Sequence, residues 1–90
     1  MNDQDTTPTL IVYGSSWCGW TRRALAHLDE QEVLYTYIEV DHDAEAEALI
    51  ASWNDGRAIR PTIAIGEEHW INPTFDEINA ELEKNGMLSD

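Results

Sequence analysis

One cysteine occurs in 90 residues, Cys18, in the stretch Ser15-Ser16-Trp17-Cys18-Gly19-Trp20-Thr21-Arg22-Arg23. No disulfide can close within the chain. The thiol therefore either packs as a small apolar group or reacts with a sulfur from elsewhere. Its surroundings favour reaction. An apolar run ending in Gly14 precedes it and a helical pattern follows, which sets Cys18 between a strand and a helix start. Unpaired backbone N–H groups and the positive end of a helix dipole stabilise a thiolate there. Such sites lower a thiol pKa from ~8.5 to about 3.5–7.5. Thr21, three residues on, can turn both its hydroxyl and its N–H back at the sulfur. Arg22 and Arg23 add positive charge, and Trp17 and Trp20 either wall the sulfur or simply pack.

Two further stretches carry chemistry. In "AIRPT" (residues 58–62) a proline opens a strand, where it removes a ladder donor. A trans Pro61 would merely mark an edge. A cis Arg60–Pro61 bond would expose the Arg60 backbone N–H and C=O, with which an extended peptide or a tripeptide thiol could pair as a strand does. In "INPTFDE" (residues 71–77) a helix N-terminus falls near the end of the sheet. It would receive a ligand carboxylate, although ordinary capping accounts for the same residues. Four of the five basic residues are Arg22, Arg23, Arg57 and Arg60. Brought together, they would make one positive site suited to a small anionic ligand. His27, His42 and His69 lack metal-ligand spacing, and Tyr13, Tyr35 and Tyr37 read as packing.

The elements that must position these residues follow from periodicity. Residues 9–14, "TLIVYG", read as a buried strand. From residue 19 to about 31 the pattern is helical, with Trp20, Ala24, Leu25 and Leu28 on one face. Residues 33–40 alternate as a second strand, with Leu34, Thr36, Ile38 and Val40 on one side. Ala46, Leu49, Ile50 and Trp53 define an amphipathic helix, capped by Asp43 or Asp41 and stopped at Asn54-Asp55-Gly56. Residues 62–66 and 68–72 form a hairpin around Gly66 and Glu67. A last helix covers residues 74–85 with Phe75, Ile78 and Leu82 inward, a Thr74/Glu77 capping box and Gly86 beyond its end. The order β-α-β-α-β-β-α makes the first two strands parallel through a right-handed crossover and the last two antiparallel. The expected architecture is α/β, a four-stranded mixed sheet with helices on both faces.

Composition narrows the functional classes. Eighteen acids against five bases give a net charge of −13. Nucleic acid and anionic membrane surfaces are poor partners for that field. No apolar run approaches the roughly 20 residues of a membrane span. The polar, acidic residues 1–8 read as a flexible lead-in, not as a signal or transit peptide, ahead of a single domain over residues 9–88. One unpaired cysteine fits a reducing, cytoplasmic compartment.

A strand, then "WCGWT" opening a helix, "IRPT" opening the third strand and "NPTFDE" opening the last helix together resemble the glutaredoxin family over nearly the whole chain. "SSWCGW" and "INPTFDE" are most similar to its actinobacterial mycoredoxin branch. The resemblance implies a thioredoxin fold, a cis Pro61 and Cys18 as nucleophile. It implies contacts to a low-molecular-weight thiol of glutathione or mycothiol type from Arg57, Arg60 and the turn from Asn72 through Thr74 to Asp76. The family's dithiol motif has a second cysteine where this chain has Thr21. "CGWT" only loosely matches the "CGFS" of cluster-binding members, and the lysine common upstream of the cysteine and the insertion typical of that class are absent.

Three functions are compatible with this pattern. In the first, Cys18 attacks the small-thiol sulfur of a protein mixed disulfide and a second small thiol regenerates it. This exchange needs only one enzyme cysteine, and the chain is expected to work as a monomer. In the second, Cys18 from two copies and two small thiols ligate a [2Fe–2S] cluster, which requires a dimer and makes Cys18 a metal ligand. The third is a non-catalytic interaction module with an ordinary Cys18 thiol.

Overall fold

Short-range patterns place the elements, and one sheet gathers them. The computed structural model describes residues 9–88; the lead-in expected over residues 1–8 lies outside the described residues. In chain order the elements are β1 (Leu10–Gly14), α1 (Gly19–Glu30), β2 (Thr36–Glu39), α2 (Ala44–Ser52), β3 (Thr62–Ile65), β4 (Glu68–Ile71) and α3 (Phe75–Lys84). A 3-10 turn, Val40–His42, joins β2 to α2. The strands run in the order β2-β1-β3-β4. β1 and β2 are parallel, whereas β3 is antiparallel to both β1 and β4. This is the expected mixed sheet.

Alternation along β1 and β3 sorts their side chains onto two faces. Leu10, Val12, Ile63 and Ile65 pack with Leu28 of α1 and with Ile78 and Leu82 of α3. Tyr13 and Ala64 pack on the other face with Val40, Ala46 and Ile50. Helices α1 and α3 thus cover one face and α2 the other.

The second strand is shorter than its alternation predicts. Leu34, which the alternation sets on one side with Ile38 and Val40, is 93% exposed, and Val33 is buried. The Val33 N–H donates to the Leu28 carbonyl at 3.1 Å, so the end of α1 orients residue 33 before the strand begins. Thr36 at the sheet edge is also exposed. Leu49 and Phe75, both expected to face in, are exposed as well. Helix α2 meets the core through Ala46 and Ile50, and the Phe75 ring instead stacks on His27 at 4.3 Å.

Helix ends follow their local signals. Asp43, not Asp41, caps α2 by accepting the Ala46 N–H at 3.0 Å. Asp43→Ala should therefore lower stability by about 1 kcal/mol, read as a lower urea midpoint at unchanged slope. Thr74 and Glu77 form the reciprocal capping box of α3. Gly66 and Glu67 make the two-residue turn of the β3–β4 hairpin. No described helix is long and apolar enough to cross a membrane.

Register gathers the chemistry. Gly14 pairs with Glu39, Tyr13 with Thr62, and Thr62 with Ile71. The segments after β1, after β2, before β3 and after β4 therefore meet at one end of the sheet. That end holds Cys18, Asp41, Pro61 and Asn72.

Candidate active site

Cys18 is the N-cap residue of α1, with extended backbone angles. Its N–H donates to the Ser15 carbonyl at 2.9 Å, and its own carbonyl accepts the Arg22 N–H at 3.1 Å. The thiol as placed makes no capping hydrogen bond. Its partial burial opposes ionisation. The N–H and hydroxyl of Thr21, the N–H of Trp20 and the charge of Arg22 outweigh that and hold its pKa below the ordinary thiol value.

Thr21 is fully buried. Its Oγ1 accepts the Ser15 N–H at 3.3 Å, and its side chain sits against Gly14. A Cβ on Gly14 would lie 2.5 Å from Thr21 Cγ2 and 2.8 Å from its Oγ1. Gly14→Ala should cost about 1–3 kcal/mol by overpacking and raise the Cys18 pKa by pushing the hydroxyl aside. Gly19→Ala is the control, since its Cβ would meet nothing within 4 Å. Thermal unfolding and a thiol titration of both variants check this pair.

The opposite wall is the segment before β3. The Arg60–Pro61 bond is cis, as the resemblance implied. The Arg60 carbonyl lies 4.0 Å from Cys18 Sγ. Pro61 is buried, and its carbonyl accepts the Asn72 N–H at 2.8 Å, with Asn72 in the left-handed region at φ 45°.

A groove of about 690 Å³ runs beside this wall, lined by Trp20, Arg23 and His27 of α1, by Pro61, and by residues 72–76. Asn72, Thr74 and Asp76, all expected at the site, are brought together there. Trp20 is 58% exposed. Although it is four residues before Ala24 on the helix, it overhangs the groove and does not join the core. His27 was not expected here, whereas Pro73 and Phe75 fall within the expected turn of residues 72–76. The helical spacing of His27 from Trp20 was the available signal, and its Nε2 lies 2.8 Å from Asn79 Oδ1.

The arginines do not form the single open positive site that their clustering suggested. The Arg60 guanidinium is committed to the Ala58 carbonyl at 2.6 Å, Ser15 Oγ at 3.0 Å and Asp41 Oδ1 at 3.1 Å. Glu47 is 3.6 Å from the same guanidinium. Arg22 donates to the Ser16 carbonyl at 3.0 Å, and Arg23 lies over the Trp20 ring at 5.0 Å. Arg57 is exposed, with its N–H bonded to the Asn54 carbonyl. Arg23 is the arginine that lines the groove. The carboxylates that neutralise Arg60 approach it only through the fold.

Sequence reasoning missed two carboxylates at the nucleophile loop, Glu39 and Asp41, of which Asp41 also meets Arg60. Glu39 accepts the Ser16 N–H at 3.1 and 3.3 Å and the Tyr37 hydroxyl at 2.7 Å. Burial, followed by this bond, pushes the Tyr37 pKa up, so Tyr37 remains a phenol. Asp41 accepts the Trp17 indole N–H and the Ser15 hydroxyl. The Trp17 bond foremost, with further help from Ser15 and Arg60, holds the Asp41 carboxyl below the usual range. Trp17 itself is 68% exposed, so it stands beside the cysteine without burying it. The signal for both acids was their place at the end of the strand parallel to β1.

Cys18 supplies one thiolate. Among the described residues no group of three or more His, Cys, Asp or Glu side chains is gathered around a metal position. An iron–sulfur cluster here would take its remaining ligands from outside the chain.

Known proteins are similar to this chain over most of its length. Residues 10–70 match the Glutaredoxin family. Mycoredoxin 1 of Corynebacterium glutamicum is 40% identical over 75 residues, covering 82% of this chain and 92% of that protein. A Mycobacterium tuberculosis protein named for the glutaredoxins is 30% identical over 79 residues, covering 87% of this chain and 94% of its own. The crystal structure of a glutaredoxin from Archaeoglobus fulgidus superposes with a TM-score of 0.71 at 17% identity, over 89% of this chain and 94% of that one. This likeness shows the thioredoxin fold. A buckwheat glutaredoxin–glutathione complex superposes at 0.63 with 25% identity, over 90% and 73% of the two chains.

Proposed function

The chain belongs to the glutaredoxin family and is a thiol–disulfide oxidoreductase, and on that premise we propose that it reduces protein mixed disulfides by a monothiol route through Cys18. One observation carries the proposal. The sulfur sits at a helix N-terminus that lowers its pKa, while the position three residues on, where a resolving cysteine would stand, is a buried threonine.

The Cys18 thiolate attacks the small-thiol sulfur of a protein–S–S–R mixed disulfide. The new Sγ–S(R) bond forms as the protein–S bond breaks, and the protein sulfur leaves with the electron pair and takes up a proton. A second R–S⁻ attacks the R sulfur of the Cys18 adduct. It forms R–S–S–R and returns Cys18 as a thiolate. The protein sulfur is reduced to a thiol and the one incoming small thiol is oxidised; the other half of R–S–S–R is the group already carried by the mixed disulfide. Thr21 cannot enter this exchange, so the second sulfur comes from solution.

The small thiol is of glutathione or mycothiol type and lies in the groove beside Pro61, its peptide portion against the Arg60 backbone. The capping box uses the N–H groups of Thr74 and Glu77. Those of Phe75 and Asp76, which have no partner within the helix, are left for a ligand carboxylate. Arg23 supplies positive charge on the facing helix. The solved buckwheat glutaredoxin–glutathione complex supports a thiol of this class.

The test is turnover of a peptide mixed disulfide with glutathione or with mycothiol as reductant. Catalysed, thiol-dependent release of the peptide thiol supports the route. Absence of turnover with both thiols refutes it.

A further inference from the structure

Asp41 has no place in the exchange just described, yet it joins the two walls between which the exchange occurs. From the nucleophile loop its carboxylate accepts the Trp17 indole N–H and the Ser15 hydroxyl, the latter at 3.1 Å. From the segment before β3 it accepts Arg60 Nη2 at 3.1 Å. Ser15 Oγ closes the triangle by accepting Arg60 Nε at 3.0 Å. Ser15 and Asp41 are 26 residues apart, and Arg60 lies 19 beyond Asp41. The 3-10 turn that carries Asp41 follows the strand β2, whose Glu39 pairs with Gly14.

We infer that Asp41 is a positioning residue that fixes the Cys18 loop against the Arg60 backbone, and so sets the alignment of an incoming disulfide with the sulfur. The inference rests on the monothiol reading and deepens it. Apart from the Ser15–Arg60 bond, loop and wall approach directly through a thiol and a carbonyl 4.0 Å apart, a contact too weak to hold either. The Asp41 triangle supplies charge-assisted bonds to both sides. Glu39 adds a second tether to the same loop through the Ser16 N–H, but it has no bond to Arg60.

The carboxylate also has an electrostatic effect of opposite sign. A negative charge beside the site disfavours the Cys18 thiolate, and the ion pair masks the Arg60 charge. Removing the charge should therefore make the thiol more acidic while loosening its alignment. Reactivity toward a small electrophile and turnover of a large substrate then move in opposite directions. A merely structural role would lower both.

The experiment compares the wild-type chain with Asp41→Asn and Trp17→Phe. Asp41→Asn keeps an acceptor for Ser15 or Arg60 but loses the charge. Trp17→Phe keeps an aromatic ring and loses the indole N–H. Iodoacetamide alkylation against pH and kcat/KM on a glutathionylated peptide are measured for each, with thermal unfolding as the check of fold. For Asp41→Asn we expect an alkylation inflection at lower pH, with kcat/KM reduced about tenfold to a hundredfold, the range that a small misplacement can cost. For Trp17→Phe we expect a smaller loss of kcat/KM. The two losses should combine less than additively in the double variant, because both break the same bond.

Unchanged kcat/KM in Asp41→Asn overturns the inference. So does a rise in kcat/KM that parallels faster alkylation, which would leave Asp41 only an electrostatic role, or a fall in both, which would mean general damage to the site. If Asp41→Asn does not fold, an additive loss in a Trp17→Phe, Ser15→Ala pair overturns it equally. A wild-type chain without turnover counts against the monothiol route, whereas an active wild type whose Asp41→Asn variant keeps its rate counts against this inference alone.

Discussion

Cys18→Ser should reduce thiol-dependent turnover of a mixed disulfide to the uncatalysed background. A serine hydroxyl is not ionised at neutral pH and cannot exchange with a disulfide, and the chain has no other cysteine to take over. The loss should not come from unfolding. Cys18 is outside both hydrophobic clusters, its backbone hydrogen bonds do not involve the side chain, and serine is a favoured N-cap residue. Unfolding of the variant should therefore match the wild type or fall at slightly higher denaturant. Incubation with an oxidised small thiol should add one small-thiol mass to the wild type and none to the variant. Residual turnover in Cys18→Ser would mean that the chemistry lies elsewhere.

Thr21→Val should raise the Cys18 pKa and change the sign of its effect on rate across the pH range. Valine fills nearly the same buried volume, so the change is confined to one hydroxyl. That hydroxyl stabilises the thiolate, and hydrogen bonds to charged groups contribute about 1.5–3 kcal/mol. Such a loss raises the pKa. Thiolate nucleophilicity increases with pKa with a Brønsted coefficient of about 0.4–0.5. At neutral pH the smaller thiolate fraction outweighs this gain, and attack should slow by roughly three- to tenfold. Above both pKa values only the gain remains, and the variant should overtake the wild type by several-fold. Crossing pH–rate curves are the signature. The Ser15 N–H, which Oγ1 accepts in the wild type, loses a buried partner, so stability should also fall by about 1–3 kcal/mol. Parallel pH–rate curves would mean that Thr21 only packs.

Much of this was legible before the fold was known, because the signals were local. A capping box spans four residues, a two-residue hairpin turn announces itself at Gly66-Glu67, and the position of Cys18 between an apolar run and a helix needs no distant partner. Periodicity was less reliable about faces. It put Trp20 with Ala24 and Leu28, and Phe75 with Ile78 and Leu82, but it contains nothing about whether a neighbour covers the first turn of a helix. At both helix starts the neighbour is a groove, so Trp20 and Phe75 line it. Leu34 failed for another reason. The end of α1, through the Leu28 carbonyl, turns residue 33 inward ahead of the strand.

The electrostatics were the least legible part. Four arginines near the motif looked like an anion site because sequence proximity says nothing about what folds onto them. Parallel pairing of β1 and β2 brings Glu39 and Asp41 to the nucleophile loop, and α2 brings Glu47 to Arg60. The positive site is largely neutralised, and its carboxylates become tethers. The polarity at the sulfur that survives comes from backbone N–H groups and Thr21, with Arg22 a lesser contributor.

The most direct test of a working thiolate is the rate of Cys18 alkylation by iodoacetamide against pH, on the native chain and again in denaturant. The native inflection should fall clearly below ~8.5, the value of an unperturbed thiol, and return to it on unfolding. A native inflection at or above the denatured one would contradict the account and leave Cys18 an ordinary thiol on an interaction module.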